Sequence, residues 1–163
     1  MPDQLKTILL VDDHPIVFEG LQVILETAED LRLIGTCPSP DAARAFLRDR
    51  TPDLIIMDIS MQGANGLSAT RELVATHPRI PILIFTCNDE KICTPMALAA
   101  GAKGLVMKGR PAAEILTAIR TVLLGQVYLP AHSGPGTGQS MRPGTPAILS
   151  PREREVLNYL VEG

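Results

Sequence analysis

Short apolar segments alternate along the chain with segments whose apolar residues recur at helical spacing. The apolar segments predict five β-strands, at residues 8–11, 31–36, 54–57, 82–85 and 105–107. The helically spaced segments predict a helix after each strand, beginning near Pro15, Pro40, Gly66, Thr94 and Pro111. Strands that are apolar on both faces and alternate with helices are typical of a parallel sheet covered on both sides. The pattern therefore predicts a doubly wound α/β domain over residues 1–129, with its ligand site beyond the carboxyl ends of five parallel strands.

The fourth helix is predicted to be short. Pro95 has no backbone N–H and fits only the first turn of a helix, so the helix is expected to begin near Thr94. We expect it to end near Ala100, before Gly101. A short helix rich in alanine is held weakly and should shift at little cost.

The composition changes after residue 129. Residues 130–148 contain four prolines and four glycines and are predicted to form a linker. Ser150 and Glu153 then match a capping box, with Pro151 at the first helical position and an apolar stripe behind it. Because one amphipathic helix cannot bury its stripe alone, we interpret residues 149–163 as the first helix of a truncated domain.

The chain is acidic and poor in aromatic residues. With a net charge of -3, 3% aromatic residues and no tryptophan, it is expected to bind neither DNA phosphates nor unstacked bases well. The N-terminal segment lacks a signal-peptide pattern, and no apolar run is long enough to span a bilayer. Three cysteines without a CxxC pair are typical of reduced thiols. These features predict a soluble cytoplasmic protein with no membrane partner.

Side chains suited to phosphate or metal chemistry stand at the ends of four predicted strands. Asp12 and Asp13 follow the first strand, and Asp58 follows the third. Thr86 follows the fourth strand, and Lys108 follows the fifth. These ends meet at one edge of a parallel sheet, where clustered carboxylates stay ionised only beside positive charge. Mg²⁺ prefers oxygen ligands and phosphate oxygens, so the cluster favours a Mg²⁺ site at which one carboxylate accepts a phosphoryl group.

Each of these residues also has a purely structural interpretation. Asp12 and Asp13 could form only the loop before a helix, since an Asp after a strand is commonly a turn or cap residue. Thr86 could be an ordinary strand residue, and Lys108 a solvated charge. Five such residues at strand ends are hard to obtain by chance, so we favour the functional interpretation. Asp53 begins the third strand at the opposite edge and is interpreted as a cap.

The resemblance to a known family rests on residues 9–15, 55–58, 61–67, 84–86 and 101–108. Together they resemble the receiver domain of a bacterial two-component response regulator of the NarL/FixJ type, over residues from about 7 to 129. The resemblance implies a flavodoxin-like fold. Residues 149–163 resemble the opening of a LuxR-type helix-turn-helix domain, so the full-length protein is expected to regulate transcription and to bind DNA only through its missing C-terminal domain.

The family resemblance implies a role in a phosphorelay. Asp58 would be the phosphoacceptor, Thr86 would hydrogen-bond the phosphoryl group and Lys108 would pair with it. The donor would be a sensor histidine kinase or a small acyl phosphate. Apart from Mg²⁺-dependent self-phosphorylation and dephosphorylation, no enzyme activity is expected. The oligomeric state stays open, with a homodimer among the alternatives.

The resemblance also implies a set of metal ligands. Asp12 and Asp13 would hold Mg²⁺ together with Asp58 and the main-chain carbonyl of Ser60. The three histidines of the chain show no spacing typical of a metal site, and none is predicted to be a ligand.

Some positions depart from the family pattern. Gln62 and Gly109 stand where proline is frequent, and Cys87 stands where a smaller residue is usual. Leu105 occupies the position of a switching Tyr or Phe, and Pro95 lies where the fourth helix should already be running. These departures concern the switching mechanics and not the five strand-end residues.

Three other functions compete with this interpretation. A phosphatase of the haloacid-dehalogenase type would need an Asp-x-Asp pair after the first strand, and turnover of phosphate esters would support it. A flavodoxin-like flavin binder would need Gly, Ser or Thr there, and a yellow protein would support it. A receiver-like module that never accepts phosphate would fail a phosphorylation assay.

Overall fold

The computed structural model describes residues 4–130 of the 163-residue chain. The strands are β1 (Lys6–Val11), β2 (Leu31–Cys37), β3 (Leu54–Met57), β4 (Ser60–Met61), β5 (Ala64–Asn65), β6 (Ile82–Thr86) and β7 (Gly104–Met107). The helices are α1 (Pro15–Glu26), α2 (Pro40–Asp49), α3 (Gly66–Thr76), α4 (Glu90–Ala99) and α5 (Ala112–Leu123). The predicted linker and the predicted helix in 149–163 lie outside the described residues. No helix within residues 4–130 is long and apolar enough to cross a bilayer.

Five of the strands form one parallel sheet in the order β2-β1-β3-β6-β7. The two-residue strands β4 and β5 form a separate antiparallel ribbon after β3. Every residue of β3 and β6 is buried, as expected where helices cover both faces of a sheet. The predicted doubly wound α/β fold is confirmed.

Helices cover the sheet on both faces and create two apolar cores. Leu9 and Val11 of β1 belong to the core formed with α2, α3 and α4. Their neighbours Ile8 and Leu10 belong to the core formed with α1 and α5. This alternation follows from the two-residue period of a strand. Burial of each of these aliphatic side chains stabilises the folded state by roughly 1.5–3 kcal/mol. The sheet therefore holds the residues that follow its strands in fixed positions.

The prediction for the fourth helix was wrong. Helix α4 begins at Glu90 and not near Thr94, and Pro95 lies inside it. The side chain of Asp89 caps the helix by accepting a hydrogen bond from Lys91 N at 2.9 Å. This cap and the buried inner face of the helix offset the roughly 3 kcal/mol that an interior proline costs.

Asp53 lies at the opposite edge of the sheet from the candidate site, as predicted, but it does not cap a helix. Its carboxylate accepts hydrogen bonds from Thr7 N at 2.8 Å and Thr7 Oγ1 at 2.9 Å, and Lys6 Nζ lies 3.3 Å away. Burial alone would raise the pKa of Asp53, but the hydrogen bonds from Thr7 and Lys6 lower it. Asp53 therefore joins the first residues of β1 to the start of β3.

The segment after α5 returns to the outer edge of the sheet. Tyr128 N donates to Lys103 O at 2.9 Å, and Leu105 N donates to Tyr128 O at 3.3 Å. A Cβ on Gly104 would lie 2.5 Å from Tyr128 O, so this close approach requires glycine. The pairing covers the edge of β7 and ties the end of the domain to the strand that leads to Lys108.

Candidate functional site

Four neighbouring strands carry the predicted functional residues at their carboxyl ends. Asp12 follows β1, Asp58 follows β3, and Lys108 follows β7. Thr86 is the last residue of β6. Backbone hydrogen bonds continue the sheet as far as these residues, because Asp58 N donates to Val11 O at 2.9 Å and Lys108 N donates to Thr86 O at 2.8 Å. The sheet thus brings the side chains together at one edge, as predicted.

Asp12, Asp58 and Lys108 form the centre of the site. Asp12 and Asp58 are 4% and 2% exposed, which is unusual for carboxylates. Lys108 Nζ lies 2.6 Å from Asp12 Oδ2 and 3.2 Å from Asp58 Oδ1. One ammonium therefore bridges two buried carboxylates, which without it would repel each other.

The close packing of these charges shifts the pKa values of Asp58 and Lys108. Burial is the largest cause of a raised pKa at Asp58, and the charge of Asp12 adds to it, while Lys108 opposes the rise. Burial alone would lower the pKa of Lys108, but its contacts with Asp12 and Asp58 outweigh burial and raise it. Lys108 therefore stays charged, and the carboxylates still lack compensating positive charge.

The loop after Asp58 is tied to its neighbours by hydrogen bonds. Ser60 N donates to Asp58 Oδ1 at 3.4 Å, and Asn88 Nδ2 donates to Ser60 Oγ at 2.9 Å. Gln62 N donates to Asp13 Oδ2 at 2.8 Å, so Asp13 holds the far end of the same loop. The structure thus places Asp13 and Ser60 beside the central residues, and the role of the Ser60 carbonyl as a metal ligand stays a prediction.

Thr86 is fully buried at the end of β6. Its Oγ1 accepts a hydrogen bond from Asn88 N at 3.1 Å, which connects the hydroxyl to the loop that leads into α4. Cys87 between them is exposed and, like the other two cysteines, is a free thiol. Movement of the Thr86 hydroxyl would therefore act directly on this loop.

The acidic cluster has the donor atoms that a divalent cation needs. One donor atom each from Asp12, Asp13, His14 and Asp58 lie within 4.8 Å of one another. Asp58 Oδ2 is buried and accepts no hydrogen bond from another residue of the described chain. A buried carboxylate oxygen left without a donor is costly, and a cation would remove that cost. The residues present thus fit a hard divalent ion such as Mg²⁺.

Sequence reasoning missed His14 as a member of this cluster. His14 Nδ1 lies 3.0 Å from Asp12 Oδ1, 2.9 Å from Asp13 Oδ1 and 3.8 Å from Asp58 Oδ2. His14 N also donates to Asp12 Oδ1 at 2.9 Å, which turns the backbone so that the ring folds back over the aspartates. Its position directly after the two aspartates was the only signal in the sequence, and spacing rules for metal sites do not use it.

Gly66 allows the backbone to pack closely behind Asp58. A Cβ at this position would lie 1.8 Å from the Asp58 carbonyl oxygen, and Gly66 N donates to Ile59 O at 2.9 Å. We expect Gly66→Ala to lower the free energy of unfolding by roughly 1–3 kcal/mol or more, because the backbone that carries Asp58 must shift.

Urea unfolding measures the effect of Gly66→Ala. The matched control is Gly20→Ala, at a helical glycine with nothing within 4 Å of the added Cβ. This control should be neutral or stabilise by up to about 1 kcal/mol. Equal stability of Gly66→Ala and wild type would show that the close approach to Asp58 is not required.

Comparison with known proteins agrees with this geometry. A family model described as the response regulator receiver domain matches residues 8–120. The response regulator GacA of Pseudomonas viridiflava is 37% identical over 122 residues, which cover 75% of this chain and 57% of GacA. The response regulator UvrY of Escherichia coli K12 is 31% identical over 161 residues, covering 96% of this chain and 74% of UvrY.

A solved structure gives the same result for the fold. The two-component response regulator of the LuxR family from Aurantimonas sp. SI85-9A1 superimposes with a TM-score of 0.70 at 34% identity. The match covers 76% of this chain and 89% of that structure. This chain spans only 57% of the length of GacA from Pseudomonas viridiflava.

Proposed function

Because the chain belongs to the response regulator receiver domain family, we propose that it is a phosphorylation switch whose phosphoacceptor is Asp58. The observation that carries this proposal is the position of Asp58 at the centre of the sheet edge. One of its carboxylate oxygens, Oδ1, contacts Lys108, and the other, Oδ2, is buried and accepts no hydrogen bond within the described chain. A sensor histidine kinase is the proposed donor, and a small acyl phosphate can replace it.

The transfer would proceed by attack of an Asp58 carboxylate oxygen on phosphorus. The new O–P bond forms as the bond from phosphorus to the donor's imidazole nitrogen or acyl oxygen breaks, and the donor leaves with that electron pair. Lys108 would neutralise charge on the phosphoryl oxygens, and the Thr86 hydroxyl would donate a hydrogen bond to one of them. Asp12, Asp13 and Asp58 would hold Mg²⁺, which when bound supplies positive charge to those same oxygens.

Incubation with acetyl phosphate and Mg²⁺ tests the proposal. We expect intact-protein mass spectrometry to show the addition of one phosphoryl group per chain. The receiver family does not consist of classical enzymes, so hydrolysis of small phosphate esters in many turnovers is not expected. An absence of labelling, or such turnover, would contradict the proposal.

We propose that Thr86 transmits phosphorylation to helix α4. A phosphoryl group adds about -1.5 to -2 charges and three acceptor oxygens, and the Thr86 hydroxyl would turn to it and pull on Asn88. Arg110 Nη2 lies 3.0 Å from Glu90 Oε2, so the chain just beyond Lys108 also contacts the first turn of α4. Two connections therefore link the site to α4.

Replacement of Thr86 by Ala should separate phosphorylation from response. With beryllofluoride as the phosphate mimic, we expect amide hydrogen exchange to change across residues 87–100 in the wild type and not in Thr86→Ala. The variant should still accept phosphate from acetyl phosphate, because Asp58 and Lys108 are retained. Thr70→Ala, at another buried threonine, is the control and should respond like the wild type. A persisting response in Thr86→Ala would exclude Thr86 as the trigger.

The aromatic residue that many receivers use in switching has no equivalent here. Leu105 is fully buried and pairs with Ile84 in the register of β7 and β6. We therefore propose that Thr86 is the trigger and that the response reaches α4 without an aromatic switch. Gly109, which follows Lys108, has φ +84°, a conformation that favours glycine, so it sets the turn that carries Arg110 towards α4.

The proposed output of the full-length protein is transcription regulation through a helix-turn-helix domain, of which residues 149–163 resemble the opening. We expect residues 1–163 to show no sequence-specific shift of a randomised duplex library at physiological salt, because a net charge of -3 gives little attraction for DNA phosphates. Enrichment of a defined sequence by residues 1–163 would contradict the proposal. The cytoplasmic location stays a prediction.

A further inference from the structure

We propose that phosphorylation moves Arg110 from Glu90 to Glu114. This change of partner loosens the C-terminal segment of the α/β domain (residues 126–129), whose Tyr128 contacts Glu114. The inference rests on the proposed function, since it needs the movement of the loop before α4. It adds a second destination for that movement, because residues 130–148, which the sequence predicts to be a linker, follow the C-terminal segment directly.

The first argument is that two side chains approach the same oxygen of Glu114. Tyr128 OH donates to Glu114 Oε1 at 3.5 Å, and Arg110 Nε lies 3.8 Å from that oxygen. Both distances exceed the roughly 2.7–2.9 Å of a strong hydrogen bond to a carboxylate. A guanidinium adds the attraction of opposite charges, which a neutral phenol lacks. Arg110 would therefore draw this carboxylate away from the Tyr128 hydroxyl if it came closer.

The second argument is that Glu90 holds Arg110 back in this structure. Arg110 Nη2 donates to Glu90 Oε2 at 3.0 Å, which is shorter than its approach to Glu114. The side chains of Arg110 and Glu90 are 32% and 17% exposed, so solvent screens this pair less than a fully exposed one. Two carboxylates thus compete for one guanidinium, and a small displacement of either changes the preferred partner.

The third argument is that only one of the two carboxylates is connected to Thr86. Glu90 begins α4 two residues after Asn88, whose N–H donates to Thr86 Oγ1 at 3.1 Å. Glu114 lies instead in α5, where its neighbour Ile115 is buried in the core on the other face of the sheet. Movement of the Thr86 hydroxyl towards a phosphoryl group would therefore displace Glu90 and leave Glu114 in place.

The C-terminal segment depends on Tyr128 for its attachment to the sheet. Tyr128 N donates to Lys103 O at 2.9 Å, and Tyr128 O accepts from Leu105 N at 3.3 Å. The residues on either side, Val127 and Leu129, are exposed. The phenol is the half-buried part of the segment, and burial and the charge of Glu114 raise the pKa of Tyr128. Loss of the contact with Glu114 would therefore weaken the pairing of this segment with β7.

Amide hydrogen exchange followed by nuclear magnetic resonance on residues 1–163 tests the inference. With beryllofluoride and Mg²⁺, we expect the exchange rates of the Tyr128 and Leu105 amides to rise about fivefold in the wild type. Glu114→Gln should abolish this rise, because Arg110 then has no second carboxylate to move to, while residues 87–100 still respond. An unchanged rate at Tyr128 in the wild type, with a response at 87–100, would overturn the inference.

Replacement of the other carboxylate should have the opposite effect. In Glu90→Gln the guanidinium is already released to Glu114, so the Tyr128 amide should exchange about fivefold faster than in the wild type without beryllofluoride. Addition of beryllofluoride should then cause little further change at Tyr128. A purely structural role of the ion pairs predicts the same direction of change in both variants, and that result would also refute the inference. Glu26→Gln, at an exposed acid of α1, is the charge control and should behave like the wild type.

Fluorine-19 resonance of bound beryllofluoride, measured in the same samples, separates this inference from the proposed function. Bound beryllofluoride in the wild type with no change at Tyr128 would refute the change of partner alone. Absence of bound beryllofluoride in the wild type would refute the proposed function, and the inference with it.

Discussion

Replacement of Asp58 by Asn is expected to abolish phosphorylation by acetyl phosphate. The amide keeps the size of the side chain and can remain beside Lys108, but it is not a nucleophile, so no O–P bond forms at this position. The loss should be complete at every concentration of donor, because no other carboxylate in the described chain lies at the end of the central strand β3. Intact-protein mass spectrometry after incubation with acetyl phosphate and Mg²⁺ measures the effect.

The matched control for this variant is Asp53→Asn. Asp53 precedes the same strand at the opposite edge of the sheet and contacts Thr7 and Lys6. This variant is expected to lose some stability but to be phosphorylated like the wild type once folded. Phosphorylation of Asp58→Asn to the wild-type level would show that Asp58 is not the phosphoacceptor.

Removal of the divalent ion is expected to have an effect of similar size. EDTA should reduce labelling to the background, and an excess of Mg²⁺ should restore it, because Lys108 alone leaves the carboxylates and the incoming phosphoryl oxygens without enough positive charge. Asp13→Ala should reduce the initial rate of labelling by roughly tenfold or more at low Mg²⁺. The measurement is the rate of labelling as a function of Mg²⁺ concentration.

Asp13 also accepts a hydrogen bond from Gln62 N, so loss of labelling in Asp13→Ala could come from a displaced loop. Asp13→Asn separates the two effects, since it keeps an acceptor for Gln62 and removes the charge. It should be impaired like Asp13→Ala. Glu19→Ala, at an exposed acid of α1, is the charge control and should label normally. Undiminished labelling in EDTA and in both Asp13 variants would refute a metal requirement.

The strand ends show how far local patterns carry a functional prediction. Five apolar strands separated by helices allow few other arrangements than a parallel sheet, and a parallel sheet places Asp12, Asp58, Thr86 and Lys108 at one edge. The clustering of these side chains was predictable because it depends on strand direction, which sequence reveals well. The contact of Lys108 with two carboxylates at once was not predictable, because it depends on the distance between β1, β3 and β7.

Helix α4 shows where a local rule fails. The rule that proline ends a helix considers one lost hydrogen bond and one steric clash, and it placed the helix start too late. The Asp89 cap and the packing of Cys93 and Ala97 in the core stabilise the turns on both sides of Pro95. Sequence shows the cost of the proline, but only the tertiary contacts show what offsets it.

The sequence by itself determined the fold class, the strand ends and the identity of the charged residues there, because these follow from hydrophobic period and chain direction. Tertiary structure alone decided two finer features of the site. A turn closed by the Asp12 carboxylate brings His14 over the aspartates, and Gly66 leaves room for the Asp58 carbonyl. Both features depend on distances of a few ångströms between segments, and hydrophobic patterns carry no information about such distances.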